Sequence, residues 1–216
     1  MYSKTKKLTT ISMLAAISYV VMVFGRIPMV LFLKYDPKDV IITIGGFIYG
    51  PMTSAIISLC VSFIEMFTVS DTGFYGLIMN IISTCSFACI ASFVYKKKRT
   101  LAGALTGLGV ATVFMTLVML LWNHYVMPLY MKAPREEVVK LLVPAILPFN
   151  LIKGFLNAAF TIMIYKPVVN GLRKANLIPA PDKEINTSHK LMSIGTFVCS
   201  AFIIICVMML VNILWK

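Results

Sequence analysis

The apolar residues of this 216-residue chain are gathered into seven runs, over 8–24, 40–49, 52–69, 74–95, 101–126, 141–165 and 191–215, separated by short charged stretches. A helix needs roughly 17 to 25 apolar residues to cross about 30 Å of hydrocarbon, and five or six of the runs reach that length. Lipid offers the backbone no hydrogen-bonding partner, so such runs satisfy their own N–H and C=O groups by folding as helices. With 59% apolar and 13% charged residues and a mean hydropathy of +0.89, no single water-soluble core of this size would hide them. The expected fold class is an all-α membrane protein with short loops.

The second run departs from the rest. Only ten residues long, it is too short to cross unaided; it follows the charged stretch Leu33-Lys34-Tyr35-Asp36-Pro37-Lys38-Asp39 and ends in Gly45-Gly46-Phe47-Ile48-Tyr49-Gly50-Pro51. Short segments interrupted by Gly and Pro in membrane proteins usually line a cavity. The expectation is that the 45–51 break lets the backbone approach a ligand or bend beneath it.

Charge then orients the chain. If all seven runs cross, twelve cations, among them the 96–99 block, fall on the side of the N-terminus, and seven fall on the other side, with Lys153 inside a run. The positive-inside rule therefore predicts a multi-pass protein with a cytoplasmic N-terminus, its 33–39 stretch facing outward. The net charge of +12 sits beside hydrophobic ends, where topology and anionic lipid headgroups account for it, so membrane lipid and no nucleic acid is expected as a partner. Residues 1–24 mimic a signal peptide but lack a small-residue cleavage pattern before Arg26, and are read as a retained helix. All five cysteines lie in apolar runs, which indicates neither a disulfide framework nor a metal site. Residues 1–172 are expected to form the bundle, 173–190 a polar cytoplasmic linker, and 191–216 an added C-terminal transmembrane helix.

Polar side chains inside apolar runs are costly and need a reason. Asn150, Lys153 and Asn157 recur at helical spacing and form one polar face in the sixth run. The competing account has Lys153 snorkelling and Asn150 joining helices. Lys153, however, lies nine residues after Pro144 and would have to pass Phe149 to reach the boundary, so a water-filled pocket opening outward fits better. Asn80, Ser83 and Thr84 in the fourth run and Asn123 in the fifth supply faces that can meet it. Amides present a donor and an acceptor together, which suits a neutral ligand with a heteroaromatic edge and hydroxyls. Tyr35, Tyr75, Trp122, Tyr125 and Phe149 are candidates to stack on a flat ring. Glu65 reads as a buried neutral acid or an interface pair rather than a proton carrier, and His124 as interfacial. Paired carboxylates, an activated nucleophile and a phosphate loop are all missing, so catalysis finds no support and any ATP energy must come from partners.

Four pieces, in order, resemble the substrate-binding S-components of energy-coupling factor (ECF) vitamin transporters, specifically the riboflavin-specific type. They are the 33–39 stretch leading into Gly46-Phe47-Ile48-Tyr49-Gly50-Pro51; Lys98-Arg99-Thr100 with Gly103 and Thr106-Gly107-Leu108; Asn123-His124-Tyr125-Val126-Met127-Pro128-Leu129-Tyr130; and Pro148-Phe149-Asn150-Leu151-Ile152-Lys153-Gly154. The resemblance covers roughly 8–172. It implies a six-helix bundle in a bacterial cell membrane that binds riboflavin from outside, beneath a lid formed by the loop after the first helix, and docks on a transmembrane coupling subunit carrying two ATPases. It also implies that Asn150, Lys153 and Asn123 contact the ligand, that Leu33, Lys34 and Asp36 belong to the lid or pocket, and, more loosely, that Asn80 contributes. Which asparagine pairs with the flavin ring stays open. Riboflavin is then the transported ligand and no cofactor is implied; Lys34 leaves a phosphorylated flavin such as FMN open. The family docks through small residues four apart on the first helix, matched here by Ser12 and Ala16. An S-component for another vitamin, a stand-alone carrier and, remotely, a membrane enzyme are the rival readings.

Overall fold

A computed structural model describes residues 4–30, 33–70, 72–132 and 134–178; the 191–216 run and most of the expected 173–190 linker lie outside the described residues. Helix α1 spans Lys4–Gly25, α2 Lys38–Tyr49, α3 Pro51–Thr68, α4 Gly73–Lys97 and α5 Leu101–Met131. Helix α6 (Arg135–Leu141), a π-helical turn (Leu142–Ile146) and α7 (Leu147–Lys174) follow one another as a single 40-residue rod. Five of these six helical stretches are long and apolar enough to cross a membrane, and α2 is the short sixth. Large apolar side chains such as Phe24, Phe63, Phe67 and Leu121 point outward. That is the arrangement expected where lipid, and not water, surrounds the bundle.

Short α2 runs through the middle of the fold: all of its residues from Lys38 to Phe47 are buried. Ile42 packs with Leu14, Ile57, Val61 and Ala88 from α1, α3 and α4, while Phe47 joins Phe87, Leu108 and Met115 from α4 and α5. Helix α1, by contrast, buries a single stripe of Thr10, Leu14, Ser18 and Met22.

The structure corrects the sequence reading in several places. The 45–51 break serves helix packing and not the ligand. A Cβ at Gly46 would lie 1.9 Å from Ser54 Oγ and 2.1 Å from Ser92 Oγ, so glycine lets α2 press against α3 and α4. The chain then turns at Gly50 (φ 102°) into α3, with Pro51 in its first turn. Gly46→Ala should therefore overpack this contact, lowering stability by about 1–3 kcal/mol, which thermal unfolding of the purified protein reads directly.

Helix α5 continues five residues beyond the expected 126 to Met131, carrying Pro128 inside it, and much of the stretch between the expected runs 101–126 and 141–165 is helical, through the end of α5 and through α6. Thr100 starts α5 as its N-cap, accepting a hydrogen bond from the Gly103 N–H at 3.1 Å. Helix α7 extends to Lys174, into the expected linker. Lastly, the expected loop between α1 and α2 contains an antiparallel hairpin, β1 (Ile27–Val30) with β2 (Leu33–Tyr35), pairing Ile27 with Tyr35 and Pro28 with Lys34.

Candidate functional site

The hairpin folds over one end of the bundle and closes one side of a cavity of about 280 Å³, near the lower end of small-molecule sites at roughly 300 Å³. That end holds the start of α4 and the end of α5, so it lies opposite the basic 96–99 block. Leu33, Lys34 and Asp36 reach the cavity from the hairpin, Asn80 from α4, Asn123 from α5, and Asn150 and Lys153 from α7. All seven residues expected at a ligand site thus border one space, although they come from four separate parts of the chain.

Local structure aims the α7 residues. Pro144 and Pro148 lack the N–H that an α-helical ladder needs. The rod accommodates them through the π turn, in which the Leu147 N–H reaches back five residues to Leu142 O. One extra residue in the turn rotates the face that α7 presents to its neighbours. Asn150 and Lys153 then face inward, 3% and 6% exposed.

Each amide is partly used. Asn150 Nδ2 donates to Ile146 O at 2.8 Å and Asn123 Nδ2 to Met119 O at 2.7 Å, which leaves the Asn123 Oδ1 buried without a hydrogen-bond partner. Lys153 Nζ lies 3.2 Å from Asp39 Oδ2 and donates to Ser83 Oγ at 3.3 Å. An ammonium has three donors, so one remains for a ligand oxygen. Asp39 is fully buried and also accepts from Thr84 Oγ1 at 2.7 Å and Asn157 Nδ2 at 3.3 Å, while Tyr35 donates to Asn157 Oδ1 at 2.9 Å. Asn157 therefore supports the site from behind and does not line the cavity.

A second charge group, of which the sequence singles out Asp36 and Glu65 but neither Arg26 nor Lys38, lies under the hairpin. Arg26 Nε donates to Asp36 Oδ1 at 2.6 Å, Arg26 and Lys38 both donate to Glu65, and Lys38 Nζ stands 3.7 Å from Asp36 Oδ2. Glu65 thus pairs with two cations, which favours the interface pair of the two readings offered for it. Burial would push the Asp36 carboxyl up, but Lys38, Lys153 and Arg26 outweigh it and hold it below the usual carboxylate range. Burial likewise works against the Arg26 charge, and Asp36 and Glu65 more than offset it. Burial, with Asp39 and Asp36 nearby, pushes the Tyr35 phenol up, so it remains a neutral donor.

Of the aromatic candidates, Phe149 lines the cavity, joined by Tyr130, which the sequence did not single out. Tyr75 instead tilts against Tyr130 with ring centroids 6.0 Å apart, Tyr125 is exposed, and Trp122 packs on the α4–α5 core. His124 stands edge-on to Tyr125 and does not border the cavity. Among the described residues, no group of three or more His, Cys, Asp or Glu side chains is placed to hold a metal.

Residues 6–165 match the family model described as ECF transporter, substrate-specific component. The chain is 32% identical over 181 residues to the riboflavin transporter RibU of Staphylococcus aureus (strain TCH60), an alignment covering 79% of this chain and 94% of that protein. It is 29% identical over 190 residues to the riboflavin transporter FmnP of Bacillus subtilis (strain 168), covering 81% and 99%. A solved structure described as the S component of a bacterial ECF transporter superposes with a TM-score of 0.68 at 32% identity, over 79% of this chain and 99% of that one.

Proposed function

The chain belongs to the substrate-specific components of ECF transporters, and on that premise we propose that it captures riboflavin in the hairpin-covered cavity and delivers it to an ATP-driven coupling module. It is a multi-pass membrane transport subunit and not an enzyme. What supports the choice of ligand is the convergence of Asn80, Asn123, Asn150 and Lys153 on one cavity beside Phe149, in a chain whose relatives are riboflavin transporters. In this reading Phe149 stacks on the isoalloxazine ring. The unpartnered Asn123 Oδ1 accepts from the ring imide, and the third Lys153 proton serves a ring or ribityl oxygen. Leu33, Lys34 and Asp36 act as the cover, and residues 1–172 form the binding bundle.

Neutral riboflavin is favoured over FMN because the buried cations at the cavity are already matched: Arg26 by Asp36 and Glu65, Lys153 by Asp39. A phosphate would enter without a counter-charge of its own at depth. The partners are a transmembrane coupling subunit and two ATPases, with membrane lipid around the bundle. Ser12 and Ala16, both exposed on α1, form the docking face. The N-terminus and the 96–99 block face the cytoplasm of a bacterial cell.

A fluorescence titration of the purified protein tests this reading. Riboflavin should saturate one site and quench, FMN should bind at least about tenfold more weakly, and an Asn123→Ala variant should lose at least about tenfold in riboflavin affinity. Saturable binding of thiamine or biotin with no flavin affinity would overturn it.

A further inference from the structure

The four charges beneath the cavity close into a ring. Arg26 contacts Asp36 at 2.6 Å and also Glu65, Lys38 contacts Glu65, and the ring is completed by Lys38 Nζ at 3.7 Å from Asp36 Oδ2. All four side chains are largely buried, from fully buried Lys38 to 14% exposed Arg26.

Chain connectivity divides that ring in two. Arg26 and Asp36 flank the hairpin, immediately outside its outermost pair, Ile27 with Tyr35, whereas Lys38 opens α2 and Glu65 lies on α3. Each half is one cation and one carboxylate in contact, neutral by itself. Breaking an isolated buried ion pair leaves two uncompensated charges, which is strongly unfavourable. Parting this ring along the hairpin boundary leaves every charge paired.

We propose that the ring is a separable clasp: the hairpin lifts from α2 and α3 carrying Arg26 and Asp36 as a neutral pair, Lys38 and Glu65 stay behind as another, and their parting governs how fast ligand leaves. The segments flanking the hairpin meet at its base. A Cβ on Gly25 would lie 2.8 Å from the Pro37 ring, so the chain can close there because residue 25 is glycine. The clasp holds the cover shut through two cross-boundary contacts, Arg26 with Glu65 and Lys38 with Asp36, yet opening strands neither ion. All four residues act here as positioning residues for the cover. This inference rests on the riboflavin-capture reading.

Two double variants, each removing one cation and one carboxylate, separate the clasp from a general loss of charge. R26Q/D36N leaves Lys38 with Glu65, and no ionic contact crosses the boundary. R26Q/E65Q leaves Lys38 with Asp36, one pair that straddles the boundary and is stranded by opening. In stopped-flow measurements of riboflavin fluorescence, R26Q/D36N should release ligand at least about tenfold faster than the unmodified chain, whereas R26Q/E65Q should release it no faster than the unmodified chain. The mirror set, K38M/E65Q against K38M/D36N, carries the same comparison where a variant of the first set does not fold, with K38M/E65Q the faster. Equal release rates within a set, or the reverse order, overturn the clasp alone. An unmodified chain that binds no riboflavin sinks the functional reading, and this one with it.

Discussion

Replacing Lys153 with methionine is expected to lower riboflavin affinity by at least about tenfold, the consequence of losing a charged hydrogen bond to the ligand and leaving its oxygen unpaired in a buried site. The same change removes the cation 3.2 Å from Asp39, a side chain with no exposure. Thr84 and Asn157 still donate to that carboxylate, but neither neutralises it. Stranding one member of a buried ion pair costs about 3–5 kcal/mol, so a fall in thermal stability should accompany the fall in affinity. A second variant, D39N/K153M, removes both charges. It should recover much of the stability while leaving affinity low, because the amide at position 39 no longer needs a cation whereas the ligand still lacks its donor. Titration and thermal unfolding on the same preparations separate the two effects. If K153M loses stability but binds riboflavin as tightly as the unmodified chain, the polar face of α7 joins helices and does not read the ligand.

That face was legible in the sequence for the reason Lys153 is sensitive. An amide and an ammonium on one side of an apolar helix must find polar company, and only a cavity or a charged partner supplies it. Long apolar runs made the five spanning helices equally plain. The partners were not legible. Asp39 and Lys38 close the charged 33–39 stretch and read as part of an outward-facing loop, yet both are fully buried at the start of α2. Their counter-charges, Lys153 and Glu65, stand 114 and 27 positions later, and no local pattern links them. The hairpin is not legible because Ile27–Val30 and Leu33–Tyr35 are too short to show alternation, and their pairing depends on what lies beneath them. The glycines of α2 point, in sequence, to a ligand that they do not border. Sequence shows that a backbone can come close to something, and packing decides whether that something is a ligand or, as at Gly46, the serines of two other helices.

The other large effect concerns uptake and not binding. Ala16→Trp should leave riboflavin affinity within about twofold of the unmodified chain while reducing uptake in cells to background, because a small-residue face lets two helices approach closely and an indole there holds them apart. The geometry of α1 makes the two effects separable. Its buried stripe, Thr10, Leu14, Ser18 and Met22, faces the bundle, whereas Ser12 and Ala16 are exposed on another side, and neither borders the cavity. If α1 docks the coupling subunit as proposed, an indole at position 16 leaves the isolated subunit undisturbed and obstructs a partner helix only on assembly. Ile56→Trp, at a 45% exposed position on α3, supplies the control for adding an aromatic ring to the lipid-facing surface, and it should leave both binding and uptake intact. Normal uptake by Ala16→Trp, at an expression level equal to the control, would show that the coupling subunit docks elsewhere. Loss of uptake in both variants would show that the bundle tolerates no added bulk on its surface, and would remove α1 from special consideration.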